Sequence, residues 1–352
     1  MGDWRQKLLV WYDAYKRDLP WRNIKDPYKI WLSEVILQQT RVNQGWEYYL
    51  RFIKKYPTVQ ALASAPEHDV LKLWQGLGYY SRARNLHEAA QFIVKEHHGK
   101  FPKDYDSIRA LKGVGEYTAG AVASIAFNLP FPAVDGNVMR VYSRLFGITT
   151  PIDSTEGKKK LYEVAAELVP AKNPGTYNQA VMELGALICL PSNPVCEDCP
   201  VREACYAYSH KKIQDFPVKQ NKTKQRSRYL NYLVITHVDK MLIRLRKGKD
   251  IWQGLHDFPL IESSKPLTST SFVKDKKWEE IIHLSKPVIK DVSDEHVHIL
   301  SHQKLFARFY AIVIKGKTTK IPAGCFWIKI KDIENYAVPK LIDLYIRKKI
   351  IK

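Results

Sequence analysis

The chain has 352 residues, of which 45% are hydrophobic and 26% charged, and this balance indicates a folded protein of about two domains rather than a disordered or fibrous one. Its 56 Lys and Arg residues outnumber 36 Asp and Glu residues, and the formal net charge of +20 favours a polyanionic partner such as nucleic acid. We find no apolar run of membrane-spanning length and no apolar signal core, so we expect a cytoplasmic protein with no membrane partner.

Residues 1–210 predict an all-α region whose short helices are punctuated by glycine and proline. Near the N-terminus, large apolar residues recur at helical spacing and predict a buried stripe: Trp4, Leu8, Trp11, Tyr12 and Tyr15. Further along, Asp26 and Pro27 predict a helix N-cap followed by the first helical residue.

The helix that begins at Pro27 would carry Glu34 among apolar neighbours. Burial of a carboxyl group raises its pKa, which would let Glu34 donate a proton near neutral pH. A partly exposed helical glutamate is the alternative, and the local sequence taken alone favours that alternative.

A glycine turn separates two helical stretches at residues 111–120. Gly113 and Gly115 permit a tight turn that exposes backbone N–H groups, and the following helix N-terminus adds its positive dipole end. Together these features predict a binding site for a DNA phosphate. A plain turn between helices is the alternative.

Four of the five cysteines lie within 17 residues in the pattern C-x6-C-x2-C-x5-C: Cys189, Cys196, Cys199 and Cys205. Four thiolates this close in sequence can hold a 4Fe–4S cluster or a structural zinc ion. Structural zinc usually takes two closely spaced cysteine pairs, whereas only the central pair is close here. The spacing separates the two only in part, so zinc stays open as the alternative to iron–sulfur at this point.

Beyond residue 210 the sequence changes character. Residues 211–228 are rich in Lys and Arg and predict a solvated linker that can also contact phosphates. Alternating apolar patterns then predict strands at residues 229–236, 241–245 and 306–314. We therefore expect a second, α+β domain over residues 229–352.

Several sequence segments resemble those of the adenine DNA glycosylases of the MutY family, within the helix–hairpin–helix (endonuclease III) superfamily. They are residues 20–22, 33–40, 74–87, 111–120, 134–140 and 178–186, together with the cysteine loop at 189–205. The resemblance implies a multidomain protein. Its mostly α catalytic region contains a helix–hairpin–helix at about residues 107–127 and an iron–sulfur loop, and its C-terminal domain is Nudix-like and recognises 8-oxoguanine.

The resemblance also implies roles for two carboxyl groups. Glu34 would protonate N7 of adenine and later activate water, while Asp135 would stabilise the cationic sugar, and Tyr117 and Asn137 would support this site. Breaking an N-glycosidic bond needs one acid for the departing base and one for an oxocarbenium-like sugar. The base must first be flipped out of the duplex.

Other positions match residues that contact DNA in this family. Trp21, Arg22 and Gln179 would line the adenine pocket, and Gln39 and Tyr79 would occupy the duplex after base flipping. A core aromatic is the alternative role for Tyr79.

Tyr117 distinguishes between sister families, because bifunctional relatives place a lysine there whose amine forms a Schiff base with the sugar. A phenol cannot form one, so the resemblance implies a monofunctional enzyme.

In the C-terminal domain, residues 252–259 resemble the family signature W-x-G-L-x-x-F-P, and a Nudix catalytic box is absent from the sequence. The family's lesion-reading F-S-H loop corresponds to Leu300, Ser301 and His302, so leucine replaces the phenylalanine. Leucine can wedge beside a base without aromatic stacking.

The expected activity is monofunctional release of adenine opposite 8-oxoguanine or guanine in double-stranded DNA, by a monomer that carries a 4Fe–4S cluster. A glycosylase acting on thymine or oxidised pyrimidines is one alternative. A DNA-binding or redox-signalling module without catalysis is the other, and Glu34 together with Asp135 argues against it.

Overall fold

The computed structural model describes residues 4–220, 225–267, 278, 287–315 and 321–351. These fall into two compact units, one formed by Met1–Ser64 with Asn85–Asn221 and the other by Ala65–Arg84 with Lys222–Lys352. Within the described residues, no helix is both long and apolar enough to cross a lipid bilayer.

The described part of the chain contains thirteen α-helices: α1 (Trp4–Tyr15), α2 (Pro27–Leu37), α3 (Val42–Lys55), α4 (Val59–Ala63), α5 (Glu67–Trp74), α6 (Ser81–Glu96), α7 (Tyr105–Ala110), α8 (Glu116–Phe127), α9 (Gly136–Phe146), α10 (Thr155–Leu168), α11 (Pro174–Leu187), α12 (Tyr206–Ser209) and α13 (Lys340–Lys349). The predicted start of α2 is confirmed, because the Asp26 side chain accepts hydrogen bonds from the backbone N–H groups of Tyr28 and Lys29.

The first unit is all-α, and α8 is its central helix. Every residue from Thr118 to Ile125 is buried, so the helix is covered on all sides, and it packs against α2, α7 and α11. A second core cluster joins α1 to α9, α10 and α11 through residues such as Leu8, Val141, Leu161 and Val181. Each fully buried side chain of this size stabilises the fold by about 1.5–3 kcal/mol.

The predicted stripe on α1 is correct at its centre but not at its two ends, because Trp4 is only partly buried. Leu8, Trp11 and Tyr12 are buried, whereas Tyr15 is 67% exposed. The helix ends at Tyr15, whose ring stacks on Trp11 and leaves its outer face in solvent. Helical spacing places a residue on the apolar face but does not guarantee that another element covers the end of that face.

The second unit contains a mixed sheet whose eight strands within the described residues are β1 (Arg226–His237), β2 (Lys240–Leu245), β3 (His256–Asp257), β4 (Leu260–Ser263), β5 (Pro287–Val292), β6 (His296–Ile299), β7 (Gln303–Ile314) and β8 (Cys325–Lys329). β1 and β7 pair in parallel, and the other pairs are antiparallel. The three predicted strands lie within β1, β2 and β7, which supply most of the described apolar core.

Residues 65–84 join the second unit although they precede it by more than a hundred residues in sequence. Lys72 donates to the backbone oxygen of Tyr336 at 3.1 Å, and Gln75 donates to Asp343 at 3.1 Å. A helix assigned by periodicity carries no information about which distant surface it packs on, so the sequence prediction of one boundary near residues 211–228 did not anticipate this arrangement.

The predicted linker is only partly solvated. Phe216 is buried, and Val218 accepts a hydrogen bond from Ile152, so residues up to 220 pack on the first unit. Lys222 and Lys224 lie outside the described residues. The prediction that residues 226–228 belong to the linker is wrong, because they lie in β1, where Arg228 forms ion pairs with Asp250 and Glu262.

Candidate active site

A cavity of about 620 Å³ in the first unit is lined by residues predicted to act on adenine and by the two glycines predicted to bind a DNA phosphate. Those that line it are Trp21, Arg22, Glu34, Gln39, Gly113, Gly115, Tyr117, Asp135, Asn137 and Gln179. They come from segments spread over more than 150 residues of the sequence. The structure therefore brings both carboxyl groups to one cavity, as the two-acid hypothesis requires.

Glu34 is buried within α2, with 8% of its surface exposed. Burial raises the pKa of Glu34 from 4.5 to about 7, because a low-dielectric surrounding disfavours the charged form. The nearby charge of Asp135 raises this pKa further, while the hydrogen bond from Tyr117 and the charge of Arg22 lower it. The partly exposed alternative is thus excluded.

Tyr117 lies in the first turn of α8 and donates a short hydrogen bond to Oε2 of Glu34. Burial and the neighbouring carboxylates raise the pKa of Tyr117 well above its ordinary value, so the phenol remains protonated and acts as a donor. Its bond occupies one carboxyl oxygen of Glu34. The other oxygen, Oε1, is left to carry the acidic proton.

Asp135 is the N-cap of α9 and accepts hydrogen bonds from the backbone N–H groups of Asn137 at 2.9 Å and Val138 at 2.8 Å. The Asn137 amide donates a third bond at 2.8 Å. Burial raises the pKa of Asp135, and these three bonds together with the charge of Arg140 oppose that rise by favouring the ionised form. The positive end of the α9 dipole acts in the same direction.

Asn137 is held in place by α11. Arg140 donates to Oδ1 of Asn137 at 2.9 Å and to the backbone oxygen of Gly185 at 2.8 Å. A Cβ atom added at Gly185 would lie 2.6 Å from Cβ of Asn137, so only glycine permits this close approach of α11 to α9.

One functional residue was missed in the sequence, namely Glu183 on α11. It is 1% exposed and accepts hydrogen bonds from Arg22 at 2.7 Å and from Arg17 at 2.8 and 2.7 Å. Its burial raises its pKa, but the hydrogen bonds and charges of the two arginines outweigh burial and lower the pKa overall. Glu183 lies four residues after Gln179, so both lie on one helix face. This spacing could have identified Glu183 from the sequence, because Gln179 was already a predicted site residue.

The glycine turn at residues 113–115 has the tight geometry that the sequence predicts. Gly113 has φ +76°, in the left-handed region that favours glycine, and Gly115 is the N-cap of α8. Both glycines are exposed. Gln39 also lines this cavity and has φ +55°, a conformation that costs energy in a residue other than glycine and is often found at functional sites.

The four clustered cysteines line one small cavity, of about 30 Å³, and all are partly buried. Arg144 donates to Sγ of Cys189 at 3.4 Å, and Arg140 donates to the backbone oxygen of Cys189 at 2.7 Å. Four cysteine side chains that line a common space beside the buried guanidinium of Arg144 are a donor set that suits an iron–sulfur cluster. Within the described residues, no group of three or more His, Cys, Asp and Glu side chains is arranged to hold a single metal ion.

A second cavity, of about 400 Å³, lies in the second unit and is lined by Tyr79, Trp252, Leu300, Ser301 and His302. The Tyr79 hydroxyl is 2.9 Å from Oγ of Ser301, which in turn is 3.2 Å from Nδ1 of His302. Tyr79 is 43% exposed and has φ +46°, so it is not the buried core aromatic of the alternative.

Comparison with known proteins agrees with this architecture. A model of the HhH-GPD superfamily of base excision DNA repair proteins matches residues 32–170, and a Nudix-domain model matches residues 231–348. A solved thermostable thymine-DNA glycosylase is 31% identical, with a TM-score of 0.54, and the match covers 58% of this chain and 95% of that one. An endonuclease III–DNA covalent intermediate, at 22% identity and a TM-score of 0.51, shares the fold over 59% of this chain and 94% of its own.

The fold and the cavity define a DNA glycosylase of base excision repair. Adenine DNA glycosylase from Rattus norvegicus is 34% identical over 95% of this chain and 75% of its own length. The enzyme of that name from Buchnera aphidicola of Schizaphis graminum is 34% identical over 96% of each. The chain belongs to the adenine DNA glycosylase family, which confirms the predicted family, fold class and enzyme class.

Proposed function

We propose that this enzyme hydrolyses the N-glycosidic bond of adenine paired with 8-oxoguanine or guanine in double-stranded DNA, acts as a monomer, and leaves the strand intact. The observation that carries the proposal is the pair of carboxyl groups in one cavity: Glu34 with its pKa raised to about 7, and Asp135 supplied with three hydrogen-bond donors. Groups with such different environments suit an acid and a stabilising anion.

In this proposal the extruded adenine enters the cavity with N7 toward Glu34. The protonated carboxyl donates its proton to N7 from Oε1 while Tyr117 holds Oε2, and protonation turns adenine into a good leaving group. As the base departs, positive charge develops on the sugar. The Asp135 carboxylate stabilises that charge, and Glu34, now ionised, accepts a proton from the attacking water.

The hydroxyl of Tyr117 supports the monofunctional part of the proposal. The side chain at this position reaches the catalytic carboxyl group, yet it carries no amine to attack the sugar. Duplexes with adenine opposite 8-oxoguanine, guanine and thymine, and with thymine opposite guanine, test the whole proposal. We expect adenine release from the first two, with strand breaks seen only after alkali treatment. Strand cleavage without alkali, or release of thymine instead of adenine, would contradict it.

For the lesion strand, we propose that 8-oxoguanine is read by the second cavity. Ser301 and His302 offer polar atoms that can bond to the lesion's added oxygen or N–H group, while Leu300 and Trp252 supply apolar contact. Ser301 bonds to Tyr79, so the lesion-reading loop and the duplex-filling side chain are linked within one unit.

We propose further that Cys189, Cys196, Cys199 and Cys205 hold a 4Fe–4S cluster. When bound, the cluster supplies a rigid cross-link between the loop and the helical unit rather than a reacting group, since four protein ligands complete its coordination. Arg140 and Arg144 tie that loop to α9, the helix that Asp135 caps. A cluster held by these four cysteines would therefore help to fix the position of a proposed catalytic carboxylate, that of Asp135.

Purified protein is expected to be brown, to absorb broadly in the visible range and to contain four iron and four sulfide per chain. Replacing Cys199, whose thiol pKa burial raises to about 12, by Ser should remove most of the colour and lower the melting temperature by several degrees. Cys325→Ser, outside the cysteine loop, is the control and should stay brown. A colourless protein with one zinc ion per chain would refute the assignment.

A further inference from the structure

We propose that Tyr12 fixes the orientation of the Gln179 amide, so that Gln179 presents its NH₂ group to an acceptor nitrogen of the bound purine. Tyr12 would then be a positioning residue for base selectivity. The inference rests on the proposed function, because it takes the base in the first cavity to be an extruded adenine.

Hydrogen-bond chemistry sets the direction of each contact. Tyr12 is 3% exposed and its hydroxyl lies 2.8 Å from Oε1 of Gln179, while Arg22 contacts the same hydroxyl through Nη1. A guanidinium can only donate, so the Tyr12 oxygen accepts from Arg22. The single hydroxyl proton of Tyr12 is then directed to Gln179, and an amide receives a proton only on its carbonyl oxygen.

Arg22 cannot readily move to release this arrangement. Its Nη2 donates to Oε2 of Glu183 at 2.7 Å, and Glu183 is held in turn by Arg17 through its backbone N–H at 2.9 Å and its guanidinium at 2.8 and 2.7 Å. Breaking a buried charge-assisted bond leaves an unpaired charge, which is costly. Tyr12 is therefore held by a rigid network.

The consequence concerns which bases the cavity accepts. With Oε1 bound to Tyr12, the part of the Gln179 amide available to a ligand is its NH₂ group. Adenine has acceptor nitrogens at N1, N3 and N7, and N7 is assigned to Glu34. The donor of Gln179 thus suits N1 or N3. An amide turned by 180° would present an oxygen to these nitrogens and repel them, so its orientation affects selectivity.

The test compares wild type with Tyr12→Phe and with Tyr142→Phe. Tyr142 is a buried tyrosine of the same unit whose hydroxyl lies 3.2 Å from that of Tyr177, so its replacement removes a comparable hydroxyl outside the first cavity. Single-turnover release is measured for adenine, 1-deazaadenine and 3-deazaadenine opposite 8-oxoguanine. Each analogue has its own intrinsic reactivity, which is the same for every variant. The rates of different variants on one analogue can therefore be compared directly.

In wild type and Tyr142→Phe, one of the two analogues should be released on the order of tenfold more slowly than adenine, as expected for a lost hydrogen bond. In Tyr12→Phe that penalty should shrink to less than about threefold, since the amide is free to turn. An unchanged penalty in Tyr12→Phe, or no penalty in wild type, overturns the inference alone. Wild type that releases no adenine overturns the proposed function and the inference with it.

Gln179→Leu provides a second variant that does not depend on the folding of Tyr12→Phe. It should abolish the same penalty, because the donor itself is gone. In a Gln179→Leu background, adding Tyr12→Phe should change the analogue ratio by less than about twofold, since coupled residues give non-additive effects. Tyr12 would not act through Gln179 if Tyr12→Phe changed the analogue ratio as much in the Gln179→Leu background as in wild type. The same conclusion would follow if Gln179→Leu kept the wild-type rate penalty on the analogue.

Discussion

Glu34→Gln is expected to lower the single-turnover rate of adenine release by on the order of 10³-fold, the range seen when a general acid is removed. Glutamine keeps the size of the side chain and can accept the Tyr117 bond, but it has no acidic proton for the base. Glu88→Gln, at an exposed glutamate of α6, is the control and should release adenine at the wild-type rate. A Glu34→Gln rate within tenfold of wild type would rule out Glu34 as the acid.

The pH dependence of the same rate provides an independent measurement. If the protonated form of Glu34 is the active one, as proposed, its raised pKa of about 7 predicts a rate that is constant at lower pH and falls as pH rises through about 7. Because burial raises the pKa of Asp135, a second decline is expected at acidic pH as this carboxylate becomes protonated, since its anion is the form proposed to stabilise the sugar. A rate that rises from pH 7 to pH 9 would contradict the assignment.

As pH rises, wild type should lose stability at Glu34, and the Glu34→Gln variant should lack this loss. The folded-state pKa of Glu34 is raised from 4.5 to about 7, so its contribution to stability is fully present below pH 4.5 and is lost as pH rises through 7. The loss amounts to at most about 3 kcal/mol. The free energy of unfolding is measured by urea denaturation at pH 4.5 and pH 8.5 for Glu34→Gln and wild type. The variant value minus the wild-type value should be larger at pH 8.5 than at pH 4.5 by up to about 3 kcal/mol. An equal difference at both pH values would show that Glu34 is not perturbed.

Asp135→Asn is expected to reduce adenine release by on the order of 10³-fold, because a neutral amide cannot offset positive charge on the sugar. Asparagine is also a good N-cap, so α9 should keep its first turn. The bond from the Asn137 amide is lost, since two NH₂ groups would face each other, and the free energy of unfolding should fall by only about 1 kcal/mol.

Asn137→Ala separates charge from hydrogen bonding at this site. It removes the same 2.8 Å bond but keeps the carboxylate, so the rate should fall by about tenfold or less. If Asp135→Asn and Asn137→Ala reduced the rate equally, the carboxylate would matter only as a hydrogen-bond acceptor. The oxocarbenium role would then be withdrawn.

The sequence by itself determined the local structure and the list of candidate residues. Asp26 and Pro27 marked the start of α2, alternation marked β1, β2 and β7, and the cysteine spacing marked one loop. Helix caps, strand alternation and turn glycines depend on neighbours within a few residues, so they can be recognised without knowing the fold. The resemblance then identified ten residues that line the first cavity.

Only the tertiary structure decided which of these residues are buried and which partners they meet. Local sequence favoured an exposed Glu34, and the structure buries it because α8 and α9 bring Tyr117 and Asp135 to it from 83 and 101 positions away. Glu183 and the bond between Tyr12 and Gln179 likewise join segments more than 160 residues apart. Burial, pKa and hydrogen-bond direction arise from such distant contacts, and no local pattern encodes them.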